Sequence, residues 1–196
     1  MDAKVNVNET PAAPFVAVHG LHHWAWRCRD AEETRHFYED ILGLPLAHLI
    51  RAETVPSTGE HCPYVHIFFE MADGSYLAFF DLGDDQPSAP SPNTPQWVNH
   101  IALRVGSMAE VIEAKKRLEA HGVAVLGITD HHFVQSIYFF DPNGVRLELT
   151  YENGPAEYMD AKKRAAHEEL AAWVQEKRQR RLAAPTQPGR AHARPA

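Results

Sequence analysis

The stretch Gly20–Leu44, GLHHWAWRCRDAEETRHFYEDILGL, reads as the first copy of a repeat; its second copy is Trp97–Val123, WVNHIALRVGSMAEVIEAKKRLEAHGV. His23 and His100, Asp30 and Ser107, and Glu33 and Glu110 share one offset of 77 residues. A repeat is weighed first because it sets the whole architecture. After each histidine the side chains alternate. Trp24, Trp26 and Cys28 fall on one face, as do Ile101, Leu103 and Val105. Ala25 with Arg27, and Ala102 with Arg104, share the face of the histidine. Period two is the signature of a strand with one buried face. Asp30 and Ser107 then have N-cap chemistry, with a Glu three positions later. Helices are predicted over 31–42, stopped by Gly43, and over 108–121, stopped by Gly122.

The second half of each copy matches at an offset of 70. Asp73-Gly74-Ser75-Tyr76-Leu77-Ala78 aligns with Asn143-Gly144-Val145-Arg146-Leu147-Glu148. Asp-Gly and Asn-Gly are hairpin turns. They join HIFFEM to SYLAFF in one copy and SIYFFD to VRLELTY in the other. Each copy is therefore a βαβββ module. The drop in offset puts about seven extra residues in the first copy, and the Ala52–Pro63 loop is expected to hold them. The fold class is α+β: two tandem modules forming an open barrel around a metal site, with a C-terminal helix and tail. The expected divisions are a flexible N-terminus (1–14), a first module (15–85), a proline-rich linker (86–96), a second module (97–154), a helical extension (155–183) and a disordered basic tail (184–196). In the extension, Met159, Ala166, Leu170 and Trp173 make a rough apolar stripe.

Composition narrows the function classes. The 196 residues are 44% hydrophobic and 23% charged, which is the make-up of a globular chain long enough to bury a core. No run of 18 apolar residues exists, so no membrane span is expected. The start lacks the basic and apolar regions of a secretory leader. Two cysteines, Cys28 and Cys62, exclude a disulfide framework, and a cytoplasmic location is expected. Net charge is −7, but residues 155–196 carry 9 Lys+Arg against 5 Asp+Glu, which leaves the body at 10 against 21. An acidic body argues against nucleic acid as a partner.

The repeat also concentrates chemistry. His23 and His100 start matched strands on matched faces. Glu148 lies on the last strand of the second copy, with Arg146 and Thr150 on its face. If the modules pair, two imidazoles and one carboxylate meet in one cavity as a facial set that leaves positions open for substrate and dioxygen. The counterpart of Glu148 in the first copy is Ala78, so a fourth ligand is missing. Trp24, Trp26, Phe68, Phe79 and Phe139 read as core, Cys28 as a buried thiol, and His36, His48 and His121 as solvated. His132 is expected to face away from His131.

Over residues 15–154 the two modules resemble the vicinal oxygen chelate superfamily, which holds glyoxalase I, fosfomycin-resistance thiol transferases, epimerases and extradiol ring-cleavage dioxygenases. The stretch Thr129–Glu148, TDHHFVQSIYFFDPNGVRLE, resembles the signature of the type I extradiol enzymes: a His, a spacer, an aliphatic-Tyr pair, Asp-Pro-x-Gly and a metal Glu. Its core is shared with fosfomycin-resistance proteins, so His131 discriminates. The resemblance implies Fe(II) held by His23, His100 and Glu148, with His131 and Tyr138 beside a catechol-like aromatic diol that O₂ cleaves. Paired-module proteins often assemble, and the helical extension has an apolar stripe to bury, so a homodimer or larger homo-oligomer is expected. The alternatives within the fold are a Mn(II)-dependent thiol transferase, another metal-dependent lyase or isomerase, and a non-enzymatic binder of aromatic ligands. Two-domain extradiol enzymes carry a further catalytic His near the position of Ser75. This chain has none there, and His61 and His66 are the nearby substitutes.

Overall fold

The structure, a computed structural model, describes residues 18–183. The expected flexible N-terminus (1–14) and basic tail (184–196) lie outside the described residues. Residues Val18–Gly154 form one compact unit, and among the described residues 155–183 belong to a second.

Each half of the first unit is one βαβββ module. The first holds β1 (His23–Arg27), α1 (Ala31–Arg35), β2 (Leu46–Thr54), β3 (His61–Glu70) and β4 (Tyr76–Asp81). The second holds β5 (Ile101–Arg104), α2 (Met108–Ala120), β6 (Leu126–Asp130), β7 (Val134–Phe140) and β8 (Arg146–Glu152). Strand order is β1-β4-β3-β2 in one sheet and β5-β8-β7-β6 in the other. The register repeats with the sequence. Ala25 pairs in parallel with Ala78, and Ala102 with Glu148. Phe68 pairs in antiparallel with Ala78, and Tyr138 with Glu148. The α+β class and the paired modules are as read from the sequence, but the two sheets are separate and are not closed into a barrel.

The local signals act as expected at most boundaries. Asp30 accepts the Glu33 N–H at 2.6 Å, and Ser107 accepts that of Glu110 at 3.2 Å, so both caps satisfy an end of helix that would otherwise lack a partner. Gly43 and Gly122 take positive φ past the helix ends. The first helix departs from expectation. After Arg35 it widens into a π-helical turn over His36–Ile41, closed by the Leu42 N–H on the Phe37 carbonyl. This turn buries Phe37, Tyr38 and Ile41 together. The extra residues of the first module also differ from a plain loop. They lengthen the β2–β3 hairpin, so that Ala52 pairs with Tyr64 and Thr54 with His61.

One apolar cluster runs through both modules, from Cys28, Phe69 and Phe79 to Phe139, Leu147 and Val111. Phe37 approaches Phe139 at 6.3 Å between ring centres. Burying each such ring stabilises the fold by about 1.5–3 kcal/mol. Polar ties cross at the same place. The Tyr38 hydroxyl donates to Asp141, the Asn143 amide to Thr34, and the Arg117 guanidinium to the Ile41 carbonyl. The modules therefore meet on the faces of the core. His23, His66, Phe68 and Ala78 alternate onto the opposite face of the first sheet, and His100, Tyr138 and Glu148 onto the opposite face of the second. Cys28 is buried as expected, and its thiol is pushed up to about 11 by that burial. Trp26 corrects the core reading: it is 40% exposed and stacks on Trp24 at 5.2 Å. It stands near the end of an edge strand where the apolar cover stops.

In the second unit, α3 (Ala156–Ala183) is a single 28-residue helix. Met159, Leu170 and Trp173 of its stripe are exposed. No helix among the described residues is long and apolar enough to cross a membrane.

Candidate active site

Four side chains of the second module form one continuous polar chain. His100 Nε2 lies 3.1 Å from Glu148 Oε2, Tyr138 donates its hydroxyl to Glu148 Oε1 at 3.2 Å, and His131 Nε2 lies 2.7 Å from the Tyr138 oxygen. The sheet explains the convergence. Tyr138 and Glu148 are opposite each other on β7 and β8, and β5 begins beside β8, which brings His100 to the same face. His131 sits in the short β6–β7 turn, with its N–H on the Val134 carbonyl, and its ring reaches back over seven residues to Tyr138.

The proton inventory follows from the bonds. A tyrosine has one O–H, and it goes to the carboxylate, so the His131 nitrogen must donate to the tyrosine oxygen. Tyr138 ionises less readily than an ordinary tyrosine, because burial and then the neighbouring Glu148 charge both raise it. His100 Nδ1 lies 3.0 Å from the Val98 carbonyl and must donate to it. In a neutral imidazole the other nitrogen, Nε2, then carries a lone pair, and that lone pair faces the Glu148 carboxylate. Two electron-rich atoms at 3.1 Å require a cation between or beside them, either a proton or a metal ion. Glu148 is only 6% exposed, so water does little to relieve the pair. The donor chemistry of His100 and Glu148 therefore fits a divalent ion.

His23 stands elsewhere. It is exposed at the start of β1, with Nδ1 2.7 Å from Nδ1 of His22, and its ring faces His66 at 5.9 Å and Phe68 at 5.6 Å. Among the described residues of this chain, no three of His, Cys, Asp and Glu gather closely enough to hold a metal. The structure thus brings together His100, Glu148, Tyr138 and His131, and leaves His23 apart from them. Ala78, at the position matching Glu148, is fully buried between its strand partners Ala25 and Phe68.

The two substitute histidines separate clearly. His61 is exposed at the far end of β3. His66 is 7% exposed and lies flat on Phe80 at 3.6 Å, with Phe68 at 4.1 Å. Burial, and then the nearby His23 and His48, lower it to about 4, so it is neutral at physiological pH. Its Nε2 is buried with no hydrogen-bond partner. His36 pairs with Asp40 on the surface, His48 and His121 are exposed, and His132 is exposed with a positive φ.

Arg146 is the participant that the sequence left without a role. Its guanidinium lies 4.1 Å above the Tyr138 ring and donates to the Trp97 carbonyl. The alternation of β8, which puts residues 146 and 148 on one face, was the available signal. A cavity of about 910 Å³ adjoins this corner, lined by Trp24, Trp26, His100, Ile101, Phe140 and Arg146 together with the proline-rich linker.

Comparison with known proteins agrees with this architecture. Residues 20–149 match the profile of the Glyoxalase/Bleomycin resistance protein/Dioxygenase superfamily. The chain is 29% identical over 136 residues to the protein named as the ring-cleaving dioxygenase MhqA of Bacillus subtilis, covering 68% of this chain and 40% of that one. It is 29% identical over 156 residues to the biphenyl-2,3-diol 1,2-dioxygenase of Paraburkholderia xenovorans, covering 72% and 46%. The chain thus spans less than half the length of these curated relatives. Among solved structures, the fosfomycin resistance protein FosX of Listeria monocytogenes, complexed with Mn(II) and sulfate, matches with a TM-score of 0.51 at 23% identity, over 72% of this chain and 97% of that one. At that identity the likeness speaks to the fold.

Proposed function

Because the chain belongs to the Glyoxalase/Bleomycin resistance protein/Dioxygenase superfamily, we propose that it is an Fe(II)-dependent extradiol dioxygenase that cleaves a catechol-like aromatic diol with O₂. The observation that carries this reading is the unbroken chain His100–Glu148–Tyr138–His131 on one sheet face. The similarity to ring-cleaving dioxygenases supports it.

In this proposal His100, Glu148 and His23 hold the ion. His23 is exposed on the first sheet and stands apart from the pair within one chain. In this proposal it comes from a second copy, whose first-module face would lie over the second-module face of its partner. Bound iron would supply Lewis acidity and the redox chemistry that dioxygen needs. The chain's own residues do the rest. The Glu148 carboxylate is positioned by the Tyr138 hydroxyl. That hydroxyl can turn from the carboxylate to a substrate oxygen and keep a donor in place. The His131 imidazole, next in line, can pass its Nε2 proton to the Tyr138 oxygen as that hydroxyl gives its own to a substrate oxygen, and later take it back. Arg146, stacked on the Tyr138 ring, holds that ring in place and places a positive charge beside the anion that forms.

The test is reconstitution with Fe(II) and, separately, with Mn(II), with oxygen excluded, followed by metal analysis and by oxygen uptake on monocyclic and bicyclic catechols. The expected result is stoichiometric iron and a coloured ring-opened product. Bound metal with no oxygen uptake on any catechol would remove the dioxygenase reading. Less than a tenth of an equivalent of either metal would remove the metal site with it.

A further inference from the structure

Position for position, the two sheet faces turned away from the apolar cluster carry different chemistry. Where the second module presents Ser136, Tyr138, Glu148 and Thr150, the first presents His66, Phe68, Ala78 and Phe80. In the second module the Ser136 hydroxyl donates to Thr150, so that polar pair is satisfied. In the first, the partner opposite His66 is Phe80, whose ring offers no hydrogen bond of that kind. The result is an aromatic floor with one imidazole set into it. Its Nε2 is the only buried side-chain polar atom without a partner among the described residues. A phenylalanine at this place would fill the same space between Phe68 and Phe80 without that cost. A group retained against stability is the usual mark of a role in function.

We propose that His66 is a ligand-positioning residue, whose imidazole hydrogen-bonds a hydroxyl of a planar aromatic diol lying against Phe68 and Phe80 beside His23. This rests on the dioxygenase reading above and adds to it a division of labour. The second module carries the ion-binding pair and the proton-carrying side chains, while the first supplies the flat apolar seat and one polar anchor. The anchor restricts the ligand class. A flat ring gains from stacking on the phenylalanines, and a hydroxyl gains from the unserved nitrogen. Admission of the ligand needs movement of Phe80 and His23, the two ring neighbours of His66 that reach the surface.

The experiment compares wild type, His66→Phe and His66→Gln, each loaded with Fe(II) under anaerobic conditions. Three quantities are read: melting temperature, iron content, and affinity for biphenyl-2,3-diol by calorimetry. His66→Phe should melt no lower than wild type and keep its iron, yet bind the diol about tenfold more weakly, the size of one lost hydrogen bond. His66→Gln should recover part of that affinity, because its amide restores a polar contact. Should His66→Phe not fold, His66→Gln carries the test: folded and iron-loaded, it should bind the diol less than about tenfold more weakly than wild type, and a larger loss would overturn the role of a polar anchor. Diol affinity unchanged in a folded His66→Phe overturns the proposal and leaves the dioxygenase reading standing. A wild-type protein that holds iron and binds no catechol overturns both.

Discussion

Tyr38 of the first module donates its hydroxyl to Asp141 of the second at 3.0 Å, across 103 residues of chain, and both groups are buried. Asp141 also accepts the backbone N–H groups of Asn143 and Val145 and the Asn143 side-chain amide. Asn143 in turn accepts the Arg29 N–H and donates to Thr34. The Asp-Pro-Asn-Gly turn therefore has a mechanical role beside its place before Glu148. It ties the strand that carries the carboxylate to the helix of the other module.

Tyr38→Phe removes this tie without changing the ring packing against Phe69 and Phe79. It takes one of four donors from a buried carboxylate, and the expected loss is about 1–3 kcal/mol. Urea unfolding should show a lower midpoint with an unchanged slope, because the surface exposed on unfolding is the same. Metal content should not change. An unaltered midpoint would mean that the hydroxyl contributes nothing to holding the modules together.

The same pair sets a pH dependence. Burial raises the Asp141 carboxyl above its ordinary value of 3.8, while the Val145, Asn143 and Tyr38 donors pull it back. Between 3.8 and the raised midpoint the folded chain keeps a proton that the unfolded chain has released. Stability from this residue is thus greatest at the acid end and falls as pH rises through the window, with the loss complete above it. Tyr38→Phe deletes a donor to the ionised form, so the midpoint should rise further in that variant. Carbon-13 titration of the Asp141 carboxyl reads both values. A midpoint at or below 3.8 in wild type contradicts the argument.

Much of this arrangement was legible because a repeat converts sequence offset into register. The offsets of 77 and 70 map each strand of the first module onto one of the second, so the register found in the first, Ala25 against Ala78, recurs in the second as Ala102 against Glu148. Cap chemistry at Asp30 and Ser107 was equally local. The separation of the sheets was not legible, since it depends on contacts such as Tyr38 with Asp141 and Arg117 with Ile41, more than seventy residues apart, which no local pattern encodes. Alternation likewise assigned Trp26 to a face but could not say where the cover over that face ends. The π-turn at His36–Ile41 follows from burying Phe37, Tyr38 and Ile41 at once, which is a demand of packing and not of helix propensity.

If His23 serves a second copy, two defective chains should repair each other. In a twofold dimer each site takes His23 from one chain and His100 with Glu148 from the other. A chain with His23→Ala and a chain with Glu148→Ala are each inactive alone. Coexpressed, half of the dimers are mixed, and each mixed dimer holds one site with both defects and one site with none. Recovery should reach about a quarter of wild-type turnover and iron content. No recovery from a purified mixed dimer would place all three ligands within one chain, and full activity of His23→Ala alone would remove His23 from the set. A monomeric mass at working concentration would remove the shared site directly.

Tyr138 separates proton handling from metal binding. Its hydroxyl touches both Glu148 and His131, so Tyr138→Phe breaks the chain in its middle and leaves the ring under Arg146. His100 and Glu148 keep their own contact, and iron content should stay near wild type. Turnover should fall by about 10²–10⁴-fold, the range for loss of a positioned proton-transfer group. His131→Ala removes the next link and should cost a similar factor. Because both act through one relay, the double variant should be little worse than either single one. Multiplicative losses in the double variant would show that the two residues act on different steps, and loss of iron in Tyr138→Phe would show that the hydroxyl serves mainly to position the carboxylate.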